Sequence, residues 1–366
     1  MTTTTASQPL TDPFAQGGQG EGDADLATYG IQRPARTEDR VPRDKRQQPR
    51  ILPPNMSIPK SPAAFERALR SYARPSSYAD VLENKWNLER WTERQIATGL
   101  CGNRRLQLEY ANVGPTEADA DSKARANEIL ANAKELAKAN DAAYEGTAVH
   151  ALTERYDLNL PIGAIPEEFQ GNLDDWKRLT AHFDIIDVEV FVVCDRYKIA
   201  GTFDRLVWYW RPCDKCGSHY RILDLKTGSI QWGGMKMAAQ LGIYAHGEYY
   251  DPTTGKRYPL PRVCQCHGII VHIPSGADAG TGVMKWINIA KGWQDAVRLS
   301  YEVRAIRRAS DWWDDFEALE PPVNLLSMIS DATTREELNG LFVQFREFWA
   351  THHTDAGNRR IKELGL

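Results

Sequence analysis

The run Arg221-Ile222-Leu223-Asp224-Leu225-Lys226-Thr227-Gly228 carries an aspartate and a lysine two residues apart at the end of an apolar stretch. Alternate side chains of a β-strand share a face, so Asp224 and Lys226 point the same way. A carboxylate and an ammonium buried together are costly unless they pair or bind something. Two readings follow from these residues: an ion pair at a strand end, or the carboxylate that holds a metal and the lysine that serves a nucleophile in metal-assisted phosphodiester cleavage.

Other polar residues stand at suggestive places. His150 and Glu154 are four apart in a helical segment and share one face. Asp204 interrupts an apolar strand within Gly201-Thr202-Phe203-Asp204-Arg205, and Gln240 and Tyr244 are again four apart in a later helix. Each has an ordinary explanation: a satisfied core or surface histidine, a salt-bridge partner for Glu154, an Asp204 paired with Arg205 or Arg221, plain helix packing. Their order along the chain is far more specific than any one of them: His, then Gly-x-x-Asp, then Asp-x-Lys, then Gln-x-x-x-Tyr.

The elements that must position these groups can be read from periodicity and turn residues. Residues 1–60, rich in Thr, Gly, Pro and charge, read as a disordered N-terminal tail. Within it, Arg33, Arg36, Arg40, Arg43, Lys45, Arg46 and Arg50 outnumber Glu38, Asp39 and Asp44, which suits either an arm touching phosphates or, the reading favoured here, a solvated tail. Ser61-Pro62 is an N-cap followed by a helix-starting proline. Helices are predicted over 64–72, 78–100, two within 122–157, and 167–183. Strands are predicted over 188–194, 199–210 and 220–226 as an antiparallel meander, then a helix over 235–250, strands over 263–273 and 283–289, and helices over 292–308 and 333–366. Helix, three strands, helix, strand is an α/β arrangement with added helices. The implied segments are the tail 1–60, a helical region 61–137, a core 138–310 and a helical C-terminal tail 311–366.

At 366 residues with 42% hydrophobic content, the chain can bury a large core. Its net charge of −4 gives no overall basic signature, so any nucleic-acid contact must come from local positive charge. No apolar run approaches a membrane span and Met1-Thr2-Thr3-Thr4-Thr5 lacks a signal peptide's features, so a cytoplasmic location is expected. Six cysteines do not suggest a disulfide framework.

The segments Gly146–Glu154, Gly201–Asp204, Leu223–Gly228 and Gln240–Tyr244 resemble a RecB-like exonuclease of the PD-(D/E)XK nuclease superfamily, of the CRISPR-associated and bacteriophage type. The resemblance spans about residues 140–290. It implies a restriction-endonuclease-like α/β core with a mixed central sheet. It also implies His150, Asp204 and Asp224 as ligands of Mg²⁺ or Mn²⁺, joined by the Leu225 carbonyl, with one imidazole tilting preference toward Mn²⁺. Lys226 would position or help deprotonate the attacking water, and Gln240 and Tyr244 would shape the site and contact the DNA backbone. Glu189 stands where a family glutamate does, as support or as a direct participant.

Cys213-x-x-Cys216 and Cys264-x-Cys266 have zinc-ligand spacing, though an iron–sulfur cluster or free thiols suit the same residues. Some relatives place one cluster cysteine upstream and three downstream of the core; here Cys101 lies upstream but no trio follows Cys266, which favours a structural zinc. Cys194 reads as core. Trp208 and Trp210 share the face of Asp204 and read as core filling, whereas Trp232, in a Gly-rich loop, is the candidate for stacking on an unpaired base. The sequence therefore leads to a metal-dependent DNA exonuclease acting on single-stranded or processed ends, in phage or bacterial recombination, repair or degradation, with a recombination partner protein as a candidate associate. A structure-selective endonuclease, a non-catalytic DNA-binding scaffold and zinc-mediated protein docking are the alternatives.

Overall fold

The computed structural model describes residues 33–113, 119–274, 280–309, 312 and 323–365. The chain divides into two compact units between Arg307 and Arg308.

The first unit is organised by a seven-stranded mixed sheet. Two short strands, β1 (Arg50–Ile51) and β2 (Arg70–Ser71), pair separately; the sheet comprises β3 (Phe183–Cys194), β4 (Ile199–Tyr209), β5 (Tyr220–Lys226), β6 (Glu248–Tyr250), β7 (Arg257–Pro259), β8 (His267–His272) and β9 (Val283–Asn288). Its spatial order is β7-β6-β3-β4-β5-β8-β9. The expected meander is present: β3 pairs antiparallel with β4, and β4 with β5. Among the described strands of the sheet only β5 and β8 pair in parallel, which requires a crossover between them.

The helices of this unit are α1 (Pro62–Ala68), α2 (Pro75–Ala79), α3 (Trp86–Gly102), α4 (Arg104–Ala111), α5 (Ala120–Leu136), α6 (Asp141–Asp157), α7 (Glu167–Thr180), α8 (Gly234–Ala245) and α9 over 289–306, which includes a π-helical stretch at Gly292–Val297. Ser61 caps α1 as its sequence position suggested, accepting a hydrogen bond from the Ala64 N–H. The sheet is covered on both faces. On one, Val149 and Leu152 of α6 and Phe169 and Trp176 of α7 pack on Val207, Leu223, Leu225 and Val271. On the other, Leu241 and Tyr244 of α8 pack on Phe203, Leu206, Ile222 and Ile270. Strand alternation thus turns Leu223 and Leu225 toward α6 and α7, and sends Asp224 and Lys226 to the side of Ile222 and α8.

Several boundaries differ from the sequence reading. Residues 33–60 are not a solvated tail: Val41 and Ile51 are buried with Tyr72, Phe191, Val193 and Tyr250. The segment is anchored by strand pairing, Arg50 opposite Ser71 and Ile51 opposite Arg70. Sparse apolar residues hid this, because three buried aliphatics, Val41, Ile51 and Leu52, suffice when the rest of the anchoring is polar. The tail expected over residues 1–32 lies outside the described residues. The helix expected over 64–72 stops at Ala68 and yields to β2, and that over 78–100 is broken at 80–85. The helix expected over 235–250 ends at Ala245, and residues 248–250 pair with β3, Tyr249 opposite Val192. The strand expected from residue 263 begins only at His267. Among the described residues no helix is long and apolar enough to cross a membrane.

The second unit contains α10 (Leu325–Asp331), α11 (Arg335–Gln344) and α12 (Thr351–Leu364) around Ile329, Ala332 and Leu338, with Leu341, Trp349 and Ile361 packed against them. Thr334 and Glu337 form a reciprocal capping box at the start of α11.

Candidate active site

A cleft of about 1090 Å³ opens where α6, the ends of β3 and β4, and α8 meet the N-terminal segment. His150, Glu189, Asp204, Gln240 and Tyr244 all line it. Two glycines of the sequence motifs make this convergence sterically feasible. A Cβ at Gly146 would stand 2.5 Å from Thr227 Oγ1, so its absence lets α6 approach the residue that follows Lys226. A Cβ at Gly201 would stand 2.6 Å from Pro75 Cδ, so its absence lets α2 rest on β4.

His150 Nδ1 lies 3.7 Å from Asp204 Oδ2. The Leu225 N–H donates to the same Asp204 oxygen at 2.6 Å, tying the Asp-x-Lys strand to the Gly-x-x-Asp strand. Beside them, the Lys226 ammonium pairs with Asp224 Oδ2. The ion-pair reading is thus present in the structure, and the pair lies near enough to the cluster for Asp204 to act on both its members. One atom each from His150, Glu189 and Asp204 falls within a 4.8 Å group that could hold a metal ion. The third member of that group is thus Glu189, where the resemblance implied Asp224. Asp224 is 2% exposed and remains coupled to the cluster through the charges of Asp204 and Lys226. Glu189 reaches its position from a backbone φ of +52°, a left-handed conformation in a strand that costs ~1–3 kcal/mol and tends to mark functional positions.

The electrostatics set the charge state of each member of the cluster. Burial, reinforced by Asp204, pushes the Glu189 carboxyl up to about 8 despite Arg36 and Arg205. Burial and Asp204 likewise raise Asp224 to about 6, against the pull of Lys226. Burial opposes ionisation of Asp204, but His150, Lys226, Arg205 and the Leu225 N–H outweigh it and hold the carboxyl below the ordinary range. The His150 side chain is 29% exposed; burial, with Lys226, Arg205 and Arg36, outweighs the opposing pull of Asp204, lowers its pKa and keeps the imidazole neutral and able to ligate. Lys226 is desolvated, but Asp224 and Asp204 raise its pKa above the ordinary lysine value, so it stays an ammonium. Tyr244 is raised well above an ordinary tyrosine, chiefly by burial, and accepts a 3.1 Å hydrogen bond from Gln240 Nε2. Two mutually repelling carboxylates supply hard oxygen donors and one neutral imidazole a borderline nitrogen, a set that fits Mg²⁺ or Mn²⁺.

A stability consequence follows. The raised pKa values of Glu189 and Asp224 mean that folding without a cation favours their protonated forms. That contribution is complete below their ordinary values of 4.5 and 3.8 and is lost as pH rises through about 6 for Asp224 and about 8 for Glu189. A divalent cation reverses the loss by binding the ionised forms. In thermal melts, the rise in midpoint on adding Mn²⁺ is expected to be larger at pH 8 than at pH 6; an equal rise at both would refute this linkage.

Two arginines that sequence reasoning passed over complete the site. Arg36 donates from Nε to both Glu154 oxygens at 3.1 and 3.2 Å and from NH2 at 2.6 Å, and its NH1 lies 3.1 Å from Glu189 Oε2. Glu154 is a salt-bridge partner as expected, but its cation comes from 118 positions upstream. Arg205, 1% exposed, lies 2.5 Å from Asp157 and 3.5 Å from Glu189, and stacks over Trp176. A charged residue inside an apolar strand was the signal for Arg205. Nothing local marked Arg36 among its neighbouring arginines.

The four cysteines also converge. Cys213, Cys216, Cys264 and Cys266 bring their Sγ atoms within 4.8 Å of one another, with Cys216 and Cys264 3.5 Å apart and none in a disulfide. The pairs meet because β8 lies parallel beside β5: the Cys264 N–H donates to the Tyr220 carbonyl at 2.9 Å, placing the lead-in of β8 against the β4–β5 turn. Burial raises Cys213, but His267 and nearby backbone N–H groups outweigh it and bring its pKa to about 6; burial pushes Cys264 up to about 12. Cys194 is buried core, as expected.

The aromatic expectations change. Trp210 is 62% exposed and so is not core filling, and Trp208 stacks on His219 with centroids 5.0 Å apart. Trp208 lies four residues along β4 from Asp204 and Trp210 lies just past the end of that strand, and neither lines the cleft. Trp232 is 85% exposed and also lies outside the cleft lining.

Comparison with known families agrees with this geometry. Residues 106–247 match the sequence profile of the PD-(D/E)XK nuclease superfamily, whose members are generally metal-dependent nucleases acting on DNA. The match covers less than half of the chain; it includes His150, Glu189, Asp204, Asp224, Lys226, Gln240 and Tyr244 and leaves out Arg36, Cys264 and Cys266. No curated protein matches the chain.

Proposed function

We propose that this PD-(D/E)XK domain makes the protein a metal-dependent deoxyribonuclease that removes nucleotides from single-stranded or processed DNA ends, in recombination, repair or degradation of phage or bacterial DNA. The observation that carries the reading is the convergence of His150, Glu189 and Asp204 on the lining of one cleft, with the Asp224–Lys226 ion pair close behind Asp204. These residues, with Asp224 and the Leu225 carbonyl at the margin, would hold Mg²⁺ or Mn²⁺, which activates water and neutralises charge on a phosphoryl group.

The remaining work falls to side chains. Lys226, kept protonated by two carboxylates, offers positive charge and hydrogen-bond donors to a water or to a non-bridging phosphate oxygen. Its charge state makes it an electrostatic group in the resting site, not a base. Tyr244 stays neutral and Gln240 fixes its hydroxyl, so the pair presents polar atoms from α8 toward substrate. Arg36 and Arg205 clamp Glu189 from both sides. At the cysteine cluster the reading is a structural zinc: a tetrahedral tetrathiolate needs sulfurs ~3.8 Å apart for Zn–S bonds of ~2.3 Å, close to the spacing present.

The test uses end-labelled linear single and double strands and circular single strands with Mg²⁺ or Mn²⁺. Linear strands are expected to shorten progressively from an end while circles survive. Cutting of circles would replace the exonuclease with a structure-selective endonuclease on the same core. Failure to cut any form would overturn the nuclease reading itself.

A further inference from the structure

The geometry points to a phosphodiester-backbone contact on the wall of the cleft built by residues 33–49 and 74–76, with Arg43 and Arg74 as the binding cations; this inference rests on the nuclease reading above. The floor and opposite wall come from the superfamily domain, whereas this wall is contributed wholly by residues outside the matched span. Without it the cluster of His150, Glu189 and Asp204 would lie on an open surface.

The wall is firmly placed. Ile51 is fully buried, the Arg74 N–H donates to Gln48 Oε1 at 3.0 Å, and Thr202 of β4 donates to Glu38 at 2.6 Å. Its arginines differ in use. Arg36 is spent on Glu154 and Glu189. Arg43 is exposed, donates to the Gln47 carbonyl at 3.0 Å and lies 3.5 Å from Glu38. Arg74 is exposed and its guanidinium has no hydrogen bond or ion pair among the described residues, although its backbone is pinned beside the cleft.

The chemistry selects the ligand class. The floor is acidic and suits a cation, while the rim carries guanidinium forks that suit phosphate oxygens. A ligand touching both is a polyanion that brings one phosphate to the cation and further phosphates to the rim. Since the whole chain is acidic at −4, attraction must be supplied locally, and this wall supplies it.

The experiment measures fluorescence anisotropy of a labelled oligothymidylate with full-length protein, Ca²⁺ replacing Mg²⁺ to suppress cutting, across a salt series. The variants are Arg43→Ala, Arg74→Ala and both together, with exposed Lys215→Ala of the cysteine turn as a charge-matched control. The double variant is expected to bind roughly tenfold more weakly. The slope of log affinity against log salt should fall by ~0.7 for each phosphate that an arginine no longer neutralises. The control should match the wild type, and melting midpoints and Mn²⁺-induced stabilisation should be unchanged in all variants. If the double variant keeps wild-type affinity and slope while the wild type binds and cuts DNA, the wall contact is refuted and the nuclease reading survives. If the wild type neither binds nor cuts DNA, both fall together.

Discussion

Lys226→Ala protein is expected to fold, to bind a divalent cation and to cleave DNA at least ~10²-fold more slowly than the wild type. The Lys226 side chain is 28% exposed and lies at the end of β5, so its truncation opens no core cavity. What disappears is a positive charge in a crowded acidic site, which is where preorganised electrostatics has its greatest effect on a developing phosphorane-like charge. Asp224 then loses the cation paired with it and becomes harder to ionise, which compounds the defect. Asp204→Asn should go further: it removes the carboxylate opposite His150 that also receives the Leu225 N–H. Both cleavage and Mn²⁺-induced thermal stabilisation should vanish in that variant while its circular dichroism stays native. Wild-type cutting rates in Lys226→Ala would leave Asp224–Lys226 as a structural ion pair and nothing more.

Freshly purified protein is expected to contain about one zinc per chain, and stripping it with a strong chelator should lower the melting midpoint substantially. Structural zinc in small Cys-rich sites contributes apparent binding free energies of ~10–16 kcal/mol, part of which is folding free energy. Here the ion would fasten the β4–β5 turn to the lead-in of β8, so β5 would be held at its start as well as by its neighbours. Without a cation four adjacent thiols cannot all ionise, as the opposite displacements of Cys213 and Cys264 illustrate. A Cys213→Ser/Cys264→Ser variant should lose the metal and melt earlier. Iron with visible charge-transfer absorption would replace zinc by a cluster, and protein free of both metals would leave four reduced thiols.

Much of the site was legible because its residues lie in locally readable elements. The Asp-x-Lys strand shows itself by an apolar run ending in charge, and Asp204 by a carboxylate where a strand should be apolar. His150 and Glu154 declare a shared face by helical spacing. Glu189 was visible as a charged strand residue standing where a family glutamate does, with support and direct participation both open; its membership of the cation-binding group depends on a left-handed backbone conformation that periodicity does not encode. Trp208 and Trp210 illustrate the opposite failure: a shared face says nothing about distance along a strand of eleven residues, and β4 ends at Tyr209, before Trp210.

The sequence by itself determined the α/β core, the antiparallel meander and the chemical identity of the groups facing the cleft, because hydrophobic periodicity and short turns are local properties. Only the tertiary structure decided which distant segments complete them. Arg36 meets Glu154 and Glu189 because a short N-terminal strand pairing carries it there, and the two cysteine pairs meet because β5 and β8 lie parallel. Contacts across such separations reward charge compensation and packing at a distance. A local pattern registers neither, so an arm that looked solvated became a wall of the site.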